Sequence, residues 1–141
     1  MKNNYWLIKE EPTKYSYNDL VNDKKTAWDG IGNNLALKHI REILKGDDLL
    51  YYHTEKEKSI VGIAKVIRGS YIDPNKDDKK FVVFDIKPVK KLIRAVTLKE
   101  IKSNIFFNDF DLVRIPRLSV MPVTKEYWSE IIKLSDKKYD V

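Results

Sequence analysis

Residues 28–54, WDGIGNNLALKHIREILKGDDLLYYHT, constrain the fold more than any other stretch, because they write a turn, an amphipathic helix, a stop and a strand in succession. Trp28 and Asp29 lead into Gly30 and Gly32, where the backbone is free to take positive φ or to approach a ligand closely, and then into Asn33, a residue suited to capping a helix. Such a turn can present main-chain N–H groups. From residue 36 the apolar side chains recur at 36, 37, 40, 43 and 44, while Lys38, Arg41, Glu42 and Lys45 fill the rest of the circumference. That spacing predicts a helix over 36–45 stopped by Gly46. Leu49, Leu50, Tyr51 and Tyr52 then predict a buried or half-buried strand ending at His53 and Thr54, which brings the aromatic turn and the strand end close together.

The flanking sequence supplies short elements. Residues 5–9 predict a strand closed by Pro12, and Ser16 caps a short helix reaching residue 22, with a polar segment leading back to Trp28. Residues 59–67 are rich in β-branched side chains and predict a strand in which Gly62 marks a bulge. The loop at 73–80 is turn-rich. Residues 81–89 alternate and predict a strand with one buried face. Thr97 caps a helix over 98–103, Ile105, Phe106, Phe107 and Phe110 form an apolar plug, and strands are expected at 112–115 and 118–123, broken at Pro116. Thr124 starts a last helix with Trp128, Ile131 and Ile132 on one face, before a polar tail from residue 135. Helices and strands do not alternate regularly, so a doubly wound sheet is excluded in favour of one compact α+β domain with a curled sheet.

Composition bounds the chemistry. In 141 residues, 43% apolar and 34% charged, there is enough material for one domain with a core of its own. No cysteine is present. This removes disulfides, thiol catalysis and cysteine-ligated zinc, and with no apolar leader at the start it sets the expectation of a cytoplasmic protein. The formal net charge of +6 permits contact with a polyanion. Only five of the basic residues are arginine (Arg41, Arg68, Arg94, Arg114 and Arg117), so a solvated lysine surface explains the charge equally well.

His39 and His53 are not at metal-ligand spacing, and there is no phosphate-binding loop, nucleophile elbow or dinucleotide fingerprint, so neither a metal nor a cofactor is expected. Glu10, Glu11, Asp29, Asp47 and Asp48 read first as loop or helix-end charges, and His53 as a partly exposed structural histidine. Trp28 stands outside any periodic apolar face. It is either a stacking surface for a nucleobase or a plug for the end of the sheet. Trp6 and Trp128 fall on regular faces and belong to the core.

Several blocks together resemble the EVE domain family: YWLIKEEP at 5–12, WDGIGN at 28–33, GDDLLYYHT at 46–54, IVGIA at 60–64, Asp73-Pro74, and RLSVMPV at 117–123. The resemblance spans nearly the whole chain. It implies a PUA-like small curled β-barrel of five or six strands with flanking short helices. It also implies non-enzymatic binding of DNA or RNA, with a modified base flipped into an aromatic-lined pocket. By motif position it assigns Trp28 to that pocket, with Lys9, Glu10, Gly30, Gly32, Asn33, Tyr52, His53, Thr54 and Ser119 around it. Arg117, Lys38 and Arg41 are expected to meet the phosphate backbone, and a monomer is expected. Three positions depart from the family pattern: Glu10 replaces a common serine, Gly32 an arginine and Leu35 a glutamine. Losing the arginine removes a forked donor, whereas a carboxylate at position 10 can accept from an exocyclic amino group. Two other readings stand beside this one: a hydrolase using Glu10, Glu11 or Asp29 with His53, and an adaptor for a protein or small metabolite.

Overall fold

The first strand owes its position to a buried carboxylate forty residues further along the chain. In the computed structural model, which describes residues 4–137, Asp47 accepts hydrogen bonds from Trp6 Nε1 and Leu44 N, both at 2.9 Å, and from Asn4 N at 3.1 Å. Strand β1 (Tyr5–Glu10) is thereby fixed beside β3 (Asp48–His53) in parallel register, with Lys9 opposite Tyr52 and Glu10 opposite His53. A parallel pair needs a crossover, and here it consists of helix α1 (Tyr17–Asp23), strand β2 (Thr26–Trp28) and helix α2 (Asn34–Glu42).

Each helix start is written locally. Ser16 and Asp19 form a capping box on α1, and the Asn33 side chain accepts from Ala36 N at 3.0 Å to cap α2. Ala36, Leu37 and Ile40 are fully buried, and burial of each larger side chain contributes about 1.5–3 kcal/mol. The helix ends before the expected residue 45. Ile43 turns to extended backbone and enters the core, Leu44 points to solvent, and Asp47 takes the Leu44 N–H that would otherwise continue the spiral. Gly46 still matters, because it has φ +94° and its N–H donates to Val66 O at 2.8 Å.

Strands β4 (Ser59–Ile72) and β5 (Val82–Thr97) are longer than the expected segments and form a bent antiparallel ladder with several register shifts, one of them at Gly62 as the sequence suggests. A Cβ at Gly62 would lie inside van der Waals contact of the Tyr17 ring, so this glycine admits α1 against the sheet. Beyond β5 come α3 (Leu98–Lys102), a 3-10 turn at Ile105–Phe107, α4 (Asp111–Arg114), β6 (Val120–Val123) and α5 (Lys125–Asp136). Arg94 joins two of these, donating to Glu100 Oε1 at 2.7 Å and to Leu134 O near the end of α5 at 2.6 Å.

Four expectations need correcting. Residues 112–115 are not a strand, because the N–H groups of Val113 and Arg114 bond back to Phe110 O and make a helical turn. Trp28 is not in a free turn, because it ends a three-residue strand paired with Phe84. The apolar plug is only half real: Phe107 and Phe110 are buried, but Ile105 is 81% exposed. The sheet is not a closed barrel. Its six strands run β2-β5-β4-β3-β1-β6, leaving β2 and β6 as two separate edges. Trp6 lies in the core as expected, Trp128 packs beside Tyr5 with ring centroids 4.8 Å apart, and α5 extends through Ser135. The expected polar tail lies outside the described residues after 137.

Asp47→Ala is expected to lower stability by about 3 kcal/mol, since a hydrogen bond to a charged acceptor contributes about 1.5–3 kcal/mol and the three here do not add fully. Equilibrium urea unfolding would show this as a lower midpoint at unchanged slope. A loss below about 1 kcal/mol would mean that water replaces the carboxylate.

Candidate functional site

Parallel pairing ends β1 and β3 at the same level, and the short β2 delivers Trp28 to the same region. The Trp28 ring packs edge-on against Tyr51 at 5.4 Å between centroids and against Tyr15 at 6.4 Å. Tyr51 in turn meets Tyr17 at 5.5 Å and His53 at 5.6 Å, so four aromatic side chains and an imidazole form one continuous cluster. Hydrogen bonds fix the chain around it: Tyr51 Oη donates to Tyr15 O at 2.6 Å, Tyr17 Oη to Ile63 O at 2.7 Å, and Tyr17 N to His53 Nε2 at 3.0 Å.

Trp28 is only 4% exposed, yet it borders a recess of about 210 Å³ lined by Glu10, Lys14, Tyr15, Thr26, Ala27, Trp28 and Asp29. Drug-sized ligands occupy pockets of about 300–1,000 Å³, so this recess suits a single planar ring. Its rim holds two carboxylates and one ammonium. Glu10 Oε1 accepts from Glu11 N at 2.9 Å, which orients that carboxyl. Tyr15 Oη donates to Asp23 Oδ2 at 2.7 Å; burial first, and then this bond, push its phenol up to about 12. The recess thus offers aromatic walls, carboxylate acceptors for an amino group and a cation at the mouth.

The other residues expected at the pocket are distributed differently. Lys9 does not line the recess. Alternation along β1 sends it to the face opposite Glu10, where its Nζ donates to Pro116 O at 2.8 Å and lies 5.5 Å from the Tyr52 ring centre. Burial lowers its pKa. Its backbone N–H donates to Ser119 O at 3.0 Å, so Lys9, Tyr52 and Ser119 form a second group that secures the loop carrying the exposed Arg117. His53 is 7% exposed rather than partly open. Its Nε2 accepts from Tyr17, which leaves the ring proton on Nδ1 toward Glu57 Oε2 at 3.1 Å. Thr54 donates its N–H to Glu10 O at 3.0 Å.

Gly30, with φ +77°, and Gly32 lie in the exposed loop between Trp28 and α2, and Asn33 is engaged as the helix cap. Lys38 is exposed on α2, and Arg41 reaches Lys80 O at 3.1 Å. Sequence reasoning missed Tyr15, Lys14 and Thr26. The available signal was Tyr15 standing directly before the Ser16 cap, where an aromatic side chain must find a partner beyond its own helix. A larger hollow of about 740 Å³ opens at the other end of β1, between Tyr5 and Glu126, and holds none of the expected residues.

Comparison with known proteins places this geometry in context. A description of the EVE domain matches residues 4–134. Thymocyte nuclear protein 1 of Mus musculus is 30% identical over an alignment covering 94% of this chain and 74% of that protein. The NMR structure of Rpa0253 from Rhodopseudomonas palustris superposes with a TM-score of 0.89 at 40% identity, covering 94% of this chain and 92% of that one. The human THYN1 protein, crystallised in complex with 5-methylcytosine-containing DNA, superposes with a TM-score of 0.87 at 26% identity, covering 97% of this chain and all of that one.

The raised Tyr15 phenol has a measurable consequence. A group whose folded pKa exceeds its unfolded value stabilises fully below the unfolded value, near 10, and that stability is lost as pH rises through about 12. Stability is therefore expected to fall above pH ~10, with a shallower fall in Tyr15→Phe. Thermal unfolding followed across alkaline pH, alongside tyrosinate absorbance, checks this; equal slopes in the two proteins would disprove it.

Proposed function

We propose that this chain, which belongs to the EVE domain family, binds nucleic acid without breaking a bond and takes a single modified base into the recess beside Trp28. The observation that carries the reading is the recess itself: one ring in size, walled by Tyr15 and Trp28, and rimmed by Glu10 and Asp29. The structural relative holding 5-methylcytosine-containing DNA supports it. Extruding a base costs a few kcal/mol, which stacking worth about 1–3 kcal/mol and hydrogen bonds to the base edge offset. Cytosine presents an N4 amino donor, and a carboxylate is its natural acceptor. Glu10, the departure from the family's serine, is then a contact and not a defect. The hydrolase alternative has no comparable support, since both His53 nitrogens already have partners and Glu10 is oriented by Glu11 N.

Trp28→Ala is a poor test, because truncating a buried tryptophan costs about 3–5 kcal/mol of stability and confounds binding with folding. Glu10→Gln keeps the volume, and Trp28→Phe keeps an aromatic ring while removing far less of the side chain than alanine would. Affinities for single- and double-stranded oligonucleotides differing by one modified cytosine are expected to favour the modified base in the wild type. Each variant is expected to lose about tenfold of that preference. Equal affinity of wild type and variants across the panel would refute the reading, and binding that survives high salt would favour the adaptor instead.

Gly32 offers a converse test. A Cβ placed there meets nothing within 4 Å, so a side chain can leave this exposed loop position without a clash at its base. Gly32→Arg is expected to raise affinity for oligonucleotides several-fold and to steepen the salt dependence by about one phosphate contact.

A further inference from the structure

Beyond the ends of β1 and β3 the surface changes character. The turn joining β3 to β4 carries Lys56, Glu57 and Lys58, and it packs against α3, which carries Lys99 and Lys102. Between them lies a cleft of about 670 Å³ with Leu98 in its wall. Four exposed lysines face a single carboxylate there, and His53 Nδ1 already engages that carboxylate, Glu57, at 3.1 Å. Nearby acids are also occupied. Glu100 accepts from Arg94 and Thr97, and Glu55 accepts from Thr13 Oγ1 at 2.6 Å.

The lysines stand on a fixed frame. Leu98 N donates to Lys58 O at 2.8 Å and Ser59 Oγ to Glu57 O at 2.6 Å, while Glu55 and Lys58 adopt positive φ of 62° and 40° to make the turn. The cleft is tied to the recess by one short bridge of chain and hydrogen bond. Lys14 lines the recess, its neighbour Thr13 holds Glu55, and Lys56 follows at the cleft.

We infer that this lysine cleft is the seat of the phosphodiester backbone running on from a base held at Trp28. The inference rests on the base-binding reading above and adds to it the course of the strand. Lysine is suited to the task as a compact point charge that neutralises phosphate without reading sequence. The backbone contact therefore lies on the β3–β4 turn and α3, and not chiefly on Lys38, Arg41 and Arg117.

The test compares wild type, Lys99→Gln/Lys102→Gln and a charge-matched control, Lys45→Gln/Lys79→Gln, on modified and unmodified oligonucleotides at several salt concentrations. All four positions are exposed, and thermal unfolding confirms that each variant is folded. The cleft variant is expected to bind about tenfold more weakly at low salt, with the slope of log affinity against log salt shallower by about 1.5–2, and to keep the wild-type ratio between modified and unmodified base. Wild-type affinity and slope in the cleft variant, or an equal loss in the control, would overturn the inference while leaving base recognition standing. A wild type that binds no oligonucleotide would overturn both.

Discussion

The buried Asp47 carboxylate is the interaction on which the rest of the architecture depends. It ends α2 by capturing Leu44 N–H, fixes the start of β1 through Asn4 and Trp6, and stands directly before β3. One side chain thus closes the crossover that lets β1 and β3 run parallel. Burying an ion costs several kcal/mol unless it is fully hydrogen-bonded, and three donors meet that requirement. The register it sets puts Glu10 level with His53 and Lys9 level with Tyr52, and so decides which residues can act together.

The aromatic cluster is both core and site wall. Tyr17, Tyr51 and Trp28 are buried, and both tyrosine hydroxyls donate to backbone carbonyls, so the recess is bounded by groups with little freedom. Preorganisation of this kind reduces the ordering cost of binding. Trp28 therefore cannot be treated as an exposed platform. Its removal would disturb Tyr51 and, through Tyr51, the carbonyl of Tyr15.

Much of this was legible in the residues. Ser16, Asn33, Thr97 and Thr124 all cap as read, because a cap is decided by its own next three residues. The blocks that resemble the EVE family located the fold. What failed was what distant partners decide. A three-residue strand at Thr26–Trp28 and a four-residue helix at Asp111–Arg114 are too short to carry a period, and the burial of Asp47 depends on donors at residues 4 and 6. The grouping of Lys9 with Glu10 is different. Adjacent residues of a strand face opposite ways, so strand periodicity alone separates them. Tyr15 left only the hint of an aromatic placed just before a cap, because its position at the recess is set by Tyr51, whose hydroxyl holds its carbonyl.

The unclosed sheet has a consequence for how the molecule behaves among its own copies. A free strand edge invites another chain to hydrogen-bond along it. Here one edge is three residues long and the other is four, with Pro122 among them contributing no N–H. On these two strands a neighbour would find almost no ladder to extend, so pairing between copies would have to turn to the part of β5 beyond Ile86, which β2 does not cover.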